Sequence, residues 1–192
     1  MLFLVDRGWI LCYNQDINLP INRNFQRREK MNKALVIIDI QNDITKHYKD
    51  IVEGINTAID WAQKNGMHIV YIKHNNITAG TRTFKPDSKG AELVPELRVV
   101  SDNIFVKTKS NALTSEEFTA FIEANQINEF YITGADATAC VKSTCFNMTK
   151  ANYVVHVISD CVTSYDLKKM DEMLSYYANK GCEVKALCEY IG

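Results

Sequence analysis

Residues 34 to 39 read ALVIID, an unbroken apolar run that ends on a carboxylate. A strand with one wet face alternates apolar and polar residues; a run with no alternation fits a strand covered on both faces. Such strands belong to parallel sheets, and parallel strands need crossover helices to join them. The rest of the chain supplies these pieces. A helical stripe of Ile51, Val52, Ile55, Ala58, Ile59 and Ala62 is closed by Asn65-Gly66. HIVYIKH (68–74), NIFVK (103–107), EFYIT (129–133), YVVHVIS (153–159) and EVKAL (183–187) read as further strands. Thr114 with Glu117 matches a capping box opening a helix that carries Phe118, Phe121 and Ile122. A last helix places Leu167, Met170, Leu174 and Tyr177 on one face.

This alternation predicts an α/β fold, a doubly wound, mainly parallel six-stranded sheet with helices on both faces. The 192 residues suit one such domain, read as 31–192, preceded by an extension over 1–30 with no clear period; Met31 looks like a natural start. With 22 basic against 23 acidic residues and a net charge of -1, nothing favours nucleic acid or an anionic membrane as partner. No apolar run reaches the roughly 18–20 residues that cross a bilayer. The six cysteines include no C-x-x-C pair, and no secretory signal is recognisable before them. The expectation is a reduced, cytoplasmic protein with free thiols.

In doubly wound sheets ligands bind beyond the carboxyl ends of the strands. That rule selects Asp39, His74, Lys107 and the small-residue turn before Cys140. A first-turn cysteine meets free helix N–H groups, which can stabilise a thiolate and later an oxyanion. Lowering a thiol from about 8.5 to about 7 requires about 2 kcal/mol, to which a helix N-terminus and a nearby lysine would contribute. Asp39 can move a proton as general base and acid, or cap a turn as Asp43 equally could. Lys107 can hold carboxylate and thiolate charged, or be a solvated strand-end lysine. His74 has no second ligand at metal spacing in HNNITAG, His156 reads as structural, and His47 and His68 read as surface residues. The polar loop 75–90 has the length of a segment that covers a site.

Four segments in order, KALVIIDIQND (33–43), GAELVPEL (90–97), FVKTKSNAL (105–113) and ITGADATACVKST (132–144), resemble the isochorismatase-like cysteine hydrolases over about residues 33–188. The resemblance implies a catalytic triad of Asp39, Lys107 and Cys140. It also implies a cis peptide at Ala135–Asp136, and an oxyanion hole formed by the N–H groups of Asp136 and Cys140. Arg82 and Phe84 of the loop, with Asn111 and Thr144, are candidates for substrate contact. Some members of the family hold a metal through an Asp-x-His segment absent here, so no metal and no cofactor are expected. Asp136 stands where a small or apolar residue is more usual, and Leu113 where phenylalanine is.

The activity implied is hydrolysis of a small-molecule amide C–N bond through a thioester, in a protein that assembles as a homo-oligomer. Vinyl-ether hydrolysis by Asp39 alone, or a non-catalytic binding or assembly role on the same scaffold, are the alternatives. Cys145, more than a turn beyond Cys140, reads as a space-filler.

Overall fold

The protein is described by a computed structural model over residues 32–44 and 46–192. The extension 1–30, with Cys12 in it, the start at Met31 and the side chain of His47 lie outside the described residues. The strands are β1 (Asn32–Ile38), β2 (His68–His74), β3 (Ile104–Lys107), β4 (Ile127–Ala135), β5 (Val154–Thr163) and β6 (Glu183–Lys185). They form one sheet in the order β3-β2-β1-β4-β5-β6, every neighbouring pair parallel. The helices are α1 (Val52–Lys64), α2 (Glu116–Ala124), α3 (Cys140–Lys150), α4 (Met170–Asn179) and the short α5 (Cys188–Ile191).

The apolar run that opened the reading is β1, and it divides between two cores. Ala34, Val36 and Ile38 face one of them, with Phe118 and Ile122 of α2, Val141 and Met148 of α3, and Tyr177 of α4. Leu35 and Ile37 face the other, with Ile55 and Ile59 of α1. Every side chain of the run is removed from water, at about 1.5–3 kcal/mol for each large one. That is why this strand tolerates no alternation.

Two helix starts differ from the sequence reading. The Thr114 hydroxyl donates to the Asn111 carbonyl inside a 3-10 turn, Ala112–Thr114, and the N-cap of α2 is Ser115, one residue later. The stripe assigned to the last helix begins too early: Leu167 sits exposed in a 3-10 turn, while Met173 and Tyr177 are the buried residues of α4. In both places a turn residue just before the helix, Asn111 or Asp166, accepts a backbone N–H and closes a 3-10 turn instead.

The strand order reverses between β1 and β4, the switch point at which such sheets open a crevice. Gly134 lies opposite Ile38 with φ of 110°. A Cβ there would stand 2.1 Å from the Ile38 carbonyl oxygen, so only glycine lets the two strand ends approach.

Candidate active site

Four neighbouring strands each deliver one group to the same end of the sheet. Asp39 follows β1, His74 closes β2, Lys107 closes β3 and Cys140 opens the helix after β4. Asp39 has φ of 55°, a left-handed conformation that aspartate tolerates better than most side chains, and its N–H donates to the Ile72 carbonyl (2.9 Å).

The Lys107 side chain is fully buried, and its Nζ reaches Asp39 Oδ2 (2.7 Å), His74 Nδ1 (3.1 Å) and Cys140 Sγ (3.4 Å). An ammonium has three hydrogens and no acceptor, so all three are committed and His74 Nδ1 must accept. Asp39, His74 and Cys140 hold their donor atoms within 4.8 Å of one another, close enough in principle for a metal ion. The centre they surround is taken by the Lys107 ammonium, and this arrangement does not fit a cation.

The electrostatics follow from burial. Desolvation pushes the Asp39 carboxyl above its ordinary pKa, although the Lys107 charge pulls against it. Its second oxygen, Oδ1, is buried without a full hydrogen bond, and the Cys140 thiol interacts with the carboxyl and draws its pKa down against the burial. Burial, then the Asp39 charge, push the Cys140 thiol up to about 12 against the opposing pull of Lys107. The expected low-pKa thiol is thereby corrected: the residue is the first of α3, as the reading required, but burial and a carboxylate neighbour outweigh the helix terminus. His74 is lowered, first by burial and then by the Lys107 charge, and so is a neutral ring; it also bonds the Lys109 backbone. The strand-end rule placed His74 at this edge without giving it a catalytic role; the structure adds its bond to the Lys107 ammonium.

The Ala135–Asp136 peptide is cis. Among the described residues nothing accepts from the N–H groups of Asp136 or Cys140. The Asp136 carboxylate is turned away into a ring of donors. It accepts from Tyr48 Oη (2.6 Å), Thr138 N (2.6 Å), Thr138 Oγ1 (2.7 Å), Tyr165 N (2.7 Å) and Ser164 Oγ (3.2 Å). Burial alone would raise its pKa, but the bonds from Tyr48, Tyr165 and Thr138 outweigh it and hold the group below the ordinary aspartate range.

A cavity of about 400 Å³ opens over these groups. Besides Asp39, His74 and Cys140 it is lined by Asp43, Tyr48, Phe84, Asp136 and Tyr165. Phe84 is held there by its N–H on Asp43 Oδ2 (2.5 Å), and its ring meets His74 edge-on at 5.7 Å. Three of the four substrate candidates are placed elsewhere. Arg82 is exposed and does not line the cavity. Asn111 caps the 3-10 turn by accepting from Leu113 N (3.0 Å). Thr144 is fully buried and accepts the Ala112 N–H (3.0 Å). Both polar groups satisfy the backbone that carries the Lys107 strand into α2, and neither lines the cavity.

Gln41, unremarked in the sequence, is fully buried and ties three segments together. Its Nε2 donates to the carbonyls of His74 and Ala91, and its Oε1 accepts from His74 N.

The sequence profile of the isochorismatase domain matches residues 33–187. The chain belongs to the isochorismatase family. Among solved structures of this family's fold, the chain resembles the pyrazinamidase of Pyrococcus horikoshii in complex with zinc (TM-score 0.74, 19% identity, 81% of this chain and 99% of that one). It also resembles N-carbamoylsarcosine amidase from Thermoplasma acidophilum (TM-score 0.71, 22% identity, 81% and 96%). In sequence it is 27% identical over 135 residues to the secreted isochorismatase effector Isc1 of Phytophthora sojae. That alignment takes in 68% of this chain and only 61% of the relative's length. Solved structures that share this fold thus include hydrolases named as amidases. Among the described residues no helix is long and apolar enough to cross a membrane.

Proposed function

We propose that this member of the isochorismatase family is a metal-independent amidohydrolase acting on a small molecule. The observation that carries the reading is the single Lys107 ammonium bonded at once to Asp39 and to the Cys140 sulfur. The thiol proton passes to Asp39 Oδ1 as the sulfur attacks the amide carbonyl carbon. A buried carboxylate with a raised pKa is a stronger base for this step than a solvated one. Lys107 remains beside the sulfur and stabilises the charge that develops there, while the Asp136 and Cys140 N–H groups receive the oxyanion. Collapse breaks the C–N bond, Asp39 returns the proton to the departing nitrogen, and a thioester is left on Cys140. Water attacks the thioester carbonyl as Asp39 takes its proton, the C–S bond breaks to release the acid, and Asp39 returns the proton to the Cys140 sulfur.

The amidases among the structural relatives support this reading, as does a thiol retained in the triad. A second reading, vinyl-ether hydrolysis with Asp39 as the acid, is favoured by the raised Asp39 pKa and by the Phytophthora relative. Ammonia release from a panel of small primary amides, measured for the wild type and for Cys140→Ala, tests the two. Loss of at least about 10³-fold in kcat/KM, with a thioester mass adduct trapped on Cys140 by acid quench, is expected. Retained turnover in Cys140→Ala would sink the amidohydrolase reading and leave the other. The free thiols of Cys140, Cys145, Cys161, Cys182 and Cys188 suit a reduced, cytoplasmic setting, although the Phytophthora relative is a secreted protein. The partner on this reading is a small-molecule substrate, with no nucleic acid or membrane involved, and the assembly a homo-oligomer.

A further inference from the structure

The charge inside the cavity has one sign. Among the described residues, the ionisable side chains that line it are the carboxylates of Asp39, Asp43 and Asp136, the Cys140 thiol, the His74 ring, and the phenols of Tyr48 and Tyr165. No lysine or arginine side chain is among them. Lys107 behind the wall balances Asp39, and its three hydrogens are already committed to Asp39, His74 and Cys140. The loop's three cations, Arg82, Lys85 and Lys89, are exposed and lie off the lining. Lys142 belongs to an adjoining outer compartment that shares only Ser110 and Ala139 with this one, and its ammonium sits over the Tyr176 ring at 4.6 Å.

Two further observations point to what such a cavity takes. Asp39 is 3% exposed and lines the cavity, and its Oδ1 makes no full hydrogen bond, although the Cys140 thiol interacts with the carboxyl. An acceptor at this position offers no donor to a second carboxylate. The rings of Tyr48, Phe84 and Tyr165 also line the cavity, and aromatic rings attract cations and tolerate neutral groups. Asp136 has its oxygens filled by five donors, so it acts on a ligand through its charge and not as a direct acceptor.

We propose that this cavity selects cationic and neutral amides over anionic ones, with Asp43 and Asp136 setting the sign of the charge it admits. The proposal rests on the amidohydrolase reading for the reacting bond, and names the class of substrate that carries it: an amide whose other end bears an amine or no charge.

Three primary amides of matched length test it: 4-aminobutyramide, butyramide and succinamate. Their dissociation constants for Cys140→Ser protein, from NMR titration, are measured beside their kcat/KM with the wild type. The cation should bind at least about tenfold tighter than the anion, with the neutral amide between. Raising salt to about 0.5 M should narrow the spread. Asp43→Asn should narrow it severalfold as well. Equal binding of the three, tighter binding of succinamate, or no binding by any of them overturns the proposal. Binding in the expected order with no ammonia released by the wild type from any of the three refutes the amidohydrolase reading and leaves the charge selection standing.

Discussion

Replacing Lys107 by methionine keeps the reach of the side chain and removes its charge from a site with no solvent to replace it. The partner left behind is Asp39, 3% exposed, whose carboxyl is already above its ordinary pKa with the lysine present. Removing one member of a buried pair costs about 3–5 kcal/mol when the other stays ionised. Asp39 has a cheaper course, which is to take up a proton. For a carboxyl of unfolded pKa about 3.9, that costs about 4 kcal/mol at pH 7 and about 1.5 kcal/mol at pH 5. These figures are ceilings, because the wild type already carries part of the burden. Lys107→Met should therefore lose about 2–4 kcal/mol at pH 7, and less than about half of that at pH 5. The sign follows from the direction of the shift. A carboxyl raised in the folded state favours folding below its unfolded pKa and opposes it as pH rises toward the folded value. Urea denaturation of wild type, Lys107→Met, Asp39→Asn and the double variant, at both pH values, gives the measurement. The double variant should be less destabilised than Lys107→Met at pH 7 and should lose the extra pH dependence. A penalty below about 1 kcal/mol, or one equal at both pH values, would refute the argument that the buried Asp39 carboxylate sets the cost of losing Lys107.

Further expectations follow from the other groups. Asp136→Asn should cost about 2–3 kcal/mol near neutral pH, since one of its oxygens becomes a donor facing donors. Because the folded pKa of Asp136 lies below 3.8, that difference is present above this value and fades as pH falls through the folded pKa, which acid titration of the two proteins reads out. Gly134→Ala should lose more than about 3 kcal/mol or fail to fold, as thermal melting would report, since its Cβ would meet the Ile38 backbone. Cys140, with its thiol pushed up to about 12, should react with iodoacetamide near neutral pH more slowly than free cysteine. Asp39→Asn should speed that alkylation while abolishing turnover, because the carboxylate raises the thiol and Lys107 lowers it. A slower alkylation in Asp39→Asn, read by peptide mass, would contradict this account.

What the sequence disclosed, and what it hid, divides along a physical line. The ALVIID run announced its strand because burial on both faces leaves no alternation to misread. Asp39, Lys107 and Cys140 could be found because strand ends in a parallel sheet share one edge, so position along the chain translates into position in space. The ring around Asp136 could not, since Tyr48, Ser164 and Tyr165 arrive from distant segments with no periodic signature. Asn111 and Thr144 misled for the opposite reason. Polar residues near a site read as ligand contacts, yet here each satisfies a backbone N–H, a demand that is invisible without the chain path. The thiol shows the limit of local reasoning most sharply: its helix terminus was legible, and the burial that outweighs it was not.

The five residues from Asp39 to Asp43 hold the cavity loop as well as the chemistry. Gln41 grips the loop at His74 and Ala91, and Asp43 grips it at Phe84 and, through its own N–H, at the Gly90 carbonyl. A Cβ on Gly90 would stand 2.1 Å from the Asp43 carboxyl, so a side chain there would push that carboxyl off its bond to Phe84. The intervening stretch from residue 77 to 83 is fastened at neither grip. It can be exchanged as a cassette, with new sequences tried between fixed anchors while the proton-handling groups stay at their original spacing. For anyone re-targeting this scaffold, the splice points are Asn76 and Phe84, joined to each other across the neck of the stretch (2.8 Å), with Gln41, Asp43 and Gly90 kept as the clamp.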